Sequence, residues 1–195
     1  MRVCVGPETL FAKCTVKNAN PHSAVGRSRA LGSFLAGVVL FLVVGSWGGA
    51  ADAAKPSSEY FPIQVGDKVV RMQLAVNSHE MERGLMFRKS MKPDEGMLFV
   101  YGRPQGLGFW MRNTSLPLDI GFFDADGRLR EVYPLYPFDE TTVKSKSESL
   151  QFALEVNQGW FRSNQVTPGA RIDFKALRQA LTARGFDPAK FGLRP

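Results

Sequence analysis

Between Phe61 and Phe174 no helix-period stripe is long enough to build a helical core; the apolar residues instead come in short runs, each closed by a turn. Val70, Met72, Leu74 and Val76 alternate with Arg71 and Gln73, the pattern of a strand with one face buried. Gly66-Asp67 separates this run from Phe61–Val65 and predicts a hairpin between the two. Pro93 and Gly96 make a turn of KPDEG, and MLFVY after it reads as a compact apolar strand. LDIGFFDADGRLREVYPLY predicts strand, Asp126-Gly127 hairpin, strand. QFALEV adds a strand, and a last one is expected near RIDF, whereas GRPQGLG and the polar residues 137–149 predict loops. Asn77-Ser78 with Glu80 predicts a capped helix over 79–87, although Gly84 inside it costs about 1 kcal/mol. With about seven or eight strands and one or two short helices, the chain predicts an all-β, β-rich single domain folded as a sandwich or barrel. A helix follows from Lys175, where Ala176, Leu177, Ala180 and Leu181 form one stripe that docks on the domain before Gly185 ends it.

The N-terminus does not belong to that pattern. Arg27 and Arg29 precede the uncharged run Leu31–Val44, and small residues ending in Ala51-Asp52-Ala53 follow. Basic flank, apolar run and small-residue exit make a secretory signal peptide. The run spans fourteen residues, against roughly 20 for a bilayer-spanning helix. The layout read from sequence is a signal peptide at 1–53, a linker at 54–60, the β-rich domain at 61–174 and a basic helical tail at 175–195. The protein is then exported, to the periplasm or outside the cell. The competing reading is a membrane anchor formed by an uncleaved N-terminal segment; no other part of the chain suggests a membrane partner.

Cleavage after Ala53 removes Cys4 and Cys14, both cysteines of the chain, and His22, leaving His79 as the one histidine. Thiol catalysis, thiolate metal sites and disulfides are excluded from the mature protein on that reading. Of the net charge of +7, the leader contributes five basic and two acidic residues, and the segment from Lys175 onward five basic and one acidic. The remaining residues, 54–174, are balanced, 15 against 15. A nucleic-acid binder should carry its basic patch on the folded domain, so nucleic acid is not an expected partner.

Four stretches stand together in order and spacing: RGLMFR from Arg83 to Arg88, GMLF from Gly96, FWMRNT from Phe109 to Thr114, and Pro117-Leu118-Asp119. With the later LEVNQGW and VTPGARI, they resemble the family catalogued as domain of unknown function 192. The resemblance covers about Phe61 to Phe174. It implies a small β-rich domain, often exported, and implies no activity.

The residues themselves must supply a site. Read as strand, Phe109, Met111 and Asn113 share one face, and Trp110 and Arg112 the other. Asn113 and Thr114 can also be explained as turn residues that satisfy their own backbone. Asp119, flanked by Leu118 and Ile120, needs a cation or amide donors, because a buried unpaired charge costs several kcal/mol. Arg83 is the favoured partner, with Arg88 the alternative. The pocket expected from this clamp is lined by Arg83, Met86, Arg88, Trp110, Asn113, Thr114 and Asp119.

Catalytic readings are weaker. His79 lies in an exposed helix start, and no acid pair drawn from Glu95, Asp119, Asp124 and Glu155 is favoured by spacing. Met81, Met86 and Met91 invite a copper reading, yet their spacing spreads them over different helix faces and core filling accounts for them. Neither a metal nor a cofactor is expected, and the sequence points away from an enzyme. The role it supports best is non-catalytic binding of a small polar ligand, a glycan or an envelope protein. The alternatives are a hydrolase using paired carboxylates including Asp119, and a structural or assembly domain without a ligand.

Overall fold

The computed structural model describes residues 58–194. The expected leader and the start of the linker lie outside the described residues.

The alternating runs become strands as read. β1 (Phe61–Val65) and β2 (Lys68–Ala75) form an antiparallel hairpin, and the capped α1 (Ser78–Arg83) leads to β3 (Glu95–Gln105), which pairs with β2 in parallel. Two residues make β4 (Gly108–Phe109). β5 (Leu118–Asp124) and β6 (Leu129–Leu135) form the second hairpin, and β7 (Val143–Lys144) pairs with β4. β8 (Leu150–Asn157) inserts between β3 and β5, so the large sheet runs β1-β2-β3-β8-β5-β6. α2 (Trp160–Ser163), α3 (Phe174–Ala183) and a 3₁₀ turn (Pro188–Phe191) complete the described chain. The fold is mostly β and sandwich-like, not a closed barrel.

Burial on both faces of the large sheet explains the layers. Ile63, Met72, Leu98, Phe152 and Leu154 form a core on one face, covered by Leu177 and Leu181 of α3. Met97, Phe99, Ile120, Phe122 and Ala153 form the other core, beneath Leu85, Phe109 and Met111. The C-terminal stripe thus lies on the domain, where truncating either leucine to alanine should remove about 2–5 kcal/mol. Arg184, at the end of α3, is buried; it donates from Nη1 to the Leu74 carbonyl at 2.6 Å and pairs with Glu80. Among the described residues no helix is long and apolar enough to cross a membrane.

Four local expectations need correction. The helix expected over 79–87 ends at Arg83, because Gly84 leaves the helical region at φ 47° and its N–H closes on the Glu80 carbonyl. Gly102–Gln105 lies in β3 rather than in a loop, and a register shift between Val100 and Gln105 accommodates Pro104, which has no N–H for the ladder. The last strand is reduced to two isolated bridges, Val65–Ile172 and Arg128–Arg171, and Asp173 caps α3 instead. FWMRN is strand only as far as Phe109, so the two-face assignment of Trp110 to Asn113 fails.

Candidate functional site

The core face that carries Met97 and Ile120 also carries an acid. Glu155 pairs in register with both residues from the middle of β8, and direct cross-strand partners share a face. Its residue is 5% exposed, and its carboxylate accepts no hydrogen bond among the described residues. Burial pushes its pKa up to about 8, and the positive charge of Arg88 offsets only part of that rise. Burial, aided by the charge of Glu155, also raises the pKa of Tyr101 on the same face.

Two turns close over this acid. In the first, Asn77 and Glu80 form a capping box that fixes the start of α1. Gly84 then ends the helix, and a Cβ there would stand 3.5 Å from the Phe99 ring and 4.0 Å from Glu155 Oε2. The backbone at Gly84 thus passes above the carboxyl, and its positive φ of 47°, not a lack of space, is what favours glycine there. In the second turn, Asn113 takes the left-handed conformation at φ 55°, and the Thr114 hydroxyl donates to the Arg112 carbonyl at 3.2 Å. The turns are laced together: the Phe87 N–H donates to the Asn113 carbonyl at 2.8 Å, and Ser115 Oγ to the Arg88 carbonyl at 3.1 Å. Phe87 and Phe138 are both exposed with positive φ, and their N–H groups bind the consecutive carbonyls of Asn113 and Thr114. Bulky residues adopt that conformation at a cost of order 1 kcal/mol, so the surrounding bonds hold it.

Between the turns lies an open groove of about 440 Å³, lined by His79, Glu82, Arg83, Phe87, Arg112 and Asn113, with Met86 on its wall. Glu82, Arg83 and Met86 also line a much smaller inner space of about 20 Å³ that reaches Trp110, Thr114 and Glu155. The Trp110 indole N–H is buried and has no hydrogen-bond partner among the described residues. Arg112 rests over the Trp110 ring at 5.9 Å from its centroid. No ion pair to a described residue engages Arg83 or Arg112. Among the described residues no three His, Cys, Asp or Glu side chains are grouped to hold a metal.

Five of the seven residues expected to make the pocket therefore line these spaces: Arg83, Met86, Trp110, Asn113 and Thr114. The turn reading of Asn113 and Thr114 also holds, since they line the site through the turn they make. Arg88 stands behind it, donating to Tyr60 Oη at 2.9 Å and to Gln73, with its charge facing Glu155. Asp119 is not part of the site. It pairs with Val156 on the opposite face, and its Oδ2 accepts the Gly159 N–H at 2.8 Å, beside the charge of Arg162. The Asp119–Arg83 clamp is overturned: the amide donor that Asp119 needed comes from the turn before α2. The same register argument separates Asp119 from Glu155 and from Glu95, so no acid pair across one cleft includes Asp119 with either.

Sequence reasoning considered Glu155 only as one acid among several. The signal that could have singled it out is its place between Leu154 and Val156, the same pattern that drew attention to Asp119.

The model of the domain of unknown function 192, described as "Uncharacterized ACR", matches residues 61–174. A crystal structure of a putative transcription regulator from Sinorhizobium meliloti is similar at 33% identity and a TM-score of 0.56, covering 58% of this chain and 92% of that one. A crystal structure of a protein of unknown function from Novosphingobium aromaticivorans is similar at 36% identity and a TM-score of 0.56, covering 64% of this chain and 94% of that one. No curated protein matches the chain.

Proposed function

The chain belongs to the uncharacterised family of domain of unknown function 192, and since membership brings no activity with it, we propose a function from the site: an exported, non-catalytic domain that binds a small polar ligand in the groove between α1 and the 110–115 turn. One observation carries the reading. Glu155 and Trp110 line one small space, and neither the carboxyl of the first nor the buried indole N–H of the second has a hydrogen-bond partner among the described residues. Buried polar groups are nearly always paired, and leaving one unpaired costs about 1–3 kcal/mol. A ligand group reaching both would recover that cost, while two turns held in strained backbone would keep the groove preformed. The export half of the proposal rests on the basic flank and apolar run before Ala53. The regulator description of the Sinorhizobium relative is not carried over, because residues 54–174 show no basic excess.

A hydrolase has one supporting observation: Glu82 lines the same inner space as the high-pKa acid Glu155. Two carboxyl groups facing one space are the equipment of glycoside cleavage. The space at Glu155 is about 20 Å³, however, whereas a water alone needs about 10–15 Å³. A scissile linkage and its water do not fit there, and contact with a single ligand group does.

The test follows the Trp110 indole N–H by NMR and the melting temperature of the full chain across a panel of sugars, sugar acids, amino acids and nucleotides. A ligand at about 100 times its Kd adds roughly 2.7 kcal/mol and moves the indole resonance. A panel that changes neither would favour the structural, ligand-free reading.

A further inference from the structure

We infer that the ligand is a small hydroxylated carboxylate, an acidic sugar or hydroxy acid, whose anionic group meets Arg83 and Arg112 while one of its hydroxyls fills the inner space between Trp110 and Glu155. The inference rests on the binding role proposed above and names its chemistry. Charge sets the first requirement. The groove presents Arg83 and Arg112, neither ion-paired to a described residue, against the single carboxylate of Glu82. A guanidinium offers a fork of donors matched to a carboxylate, so the open part selects an anion.

Hydrogen-bond valence sets the second. The inner space admits one small group. The space is lined by Trp110, whose unpartnered N–H only donates, and by Glu155, whose carboxyl can accept. A hydroxyl satisfies both at once. An ammonium cannot accept from the indole, and a methyl leaves both groups unpaired. Shape sets the third. Met86 and Phe87 are apolar walls of the groove, which has room for a monosaccharide-sized body, not only an inorganic anion.

Isothermal titration of the full chain with D-glucuronate, D-glucose and butyrate separates the requirements, since the first carries both groups and the others one each. The expected result is at least tenfold tighter binding of glucuronate than of either single-feature probe. Arg83→Met should weaken glucuronate about tenfold and leave glucose unchanged, with Arg112→Met as a second variant at an exposed position. Trp110→Phe should weaken glucuronate and glucose alike. A glucuronate-terminated oligosaccharide, run alongside, distinguishes a glycan end from a free metabolite. Equal binding of glucose and glucuronate, or binding unaffected by both arginine variants, overturns the acidic class. If glucuronate does not bind but another panel compound moves the Trp110 indole, the inference fails and the binding role stands. If nothing in the panel moves it, both fall.

Discussion

Replacing Glu155 with glutamine isolates the acid at the centre of the site. The residue is 5% exposed, and burial raises its pKa from an ordinary 4.5 to about 8. The folded protein therefore keeps a proton that the unfolded chain releases near pH 4.5. Where the folded state binds more protons, stability falls as pH rises. The favourable contribution is complete below about 4.5, is lost progressively up to about 8, and is absent above it. Each pKa unit is worth about 1.4 kcal/mol, so the rise from 4.5 to about 8 corresponds to roughly 5 kcal/mol as an upper bound. Glutamine keeps the shape and carries no titrating proton. Arg88, and Arg83 and Glu82 that line the same space, are common to both proteins, and Tyr101, whose pKa is raised, stays protonated throughout this range. Thermal unfolding followed by circular dichroism should find the two proteins within a few degrees of each other at pH 5. By pH 8.5 the glutamine variant should melt on the order of 10 °C higher, since 1 kcal/mol moves a domain of this size by a few degrees. Parallel curves from pH 5 to 8.5 would show that Glu155 is not a buried neutral acid.

Two further substitutions test the frame around the site. Asp119→Ala should cost about 1.5–3 kcal/mol by removing the charged acceptor of the Gly159 N–H. Its effect should add to that of Arg83→Met within about 0.5 kcal/mol in a double-mutant cycle, because the two side chains belong to opposite faces of the sheet; strong coupling would restore the clamp. Arg184→Met should cost about 3–5 kcal/mol, since it leaves Glu80 without its buried cation and the Leu74 carbonyl without its donor. A loss under 1 kcal/mol in chemical denaturation would show that the tie between α3 and α1 is not structural.

The legible parts of the fold are those set by neighbours in the chain. Period-two alternation marks β2, Asp126-Gly127 marks the β5–β6 hairpin, and Asn77 with Glu80 marks the start of α1. Segments whose conformation is set by distant contacts read less well. RIDF has the composition of a strand but finds only bridge partners, since Asp173 is engaged as a helix cap. Trp110 to Asn113 look extended by composition, yet Asn113 takes a left-handed turn held by Phe87 and Phe138 from elsewhere in the chain. Those two phenylalanines carry no local signal for positive φ, because bulky residues ordinarily avoid it.

The two acids show why half of the site was readable and its centre was not. Asp119 and Glu155 have the same local signature, a carboxylate between two large apolar residues in a strand. That signature says that the acid risks burial; it does not say what the acid will meet there. The answer depends on strand order. β8 lies between β3 and β5, so an inward acid at its middle is enclosed by Met97 on one side and Ile120 on the other, and the Gly84 turn that passes over it gives it no hydrogen bond among the described residues. Asp119 sits one residue from the start of β5 and reaches the N–H of the turn that follows β8. One carboxylate is thereby answered within the fold, while the other faces a space shared with an unanswered indole. Local sequence marks both as costly to bury, and only the order β3-β8-β5 decides that Glu155 is the one with no hydrogen-bond donor among the described residues.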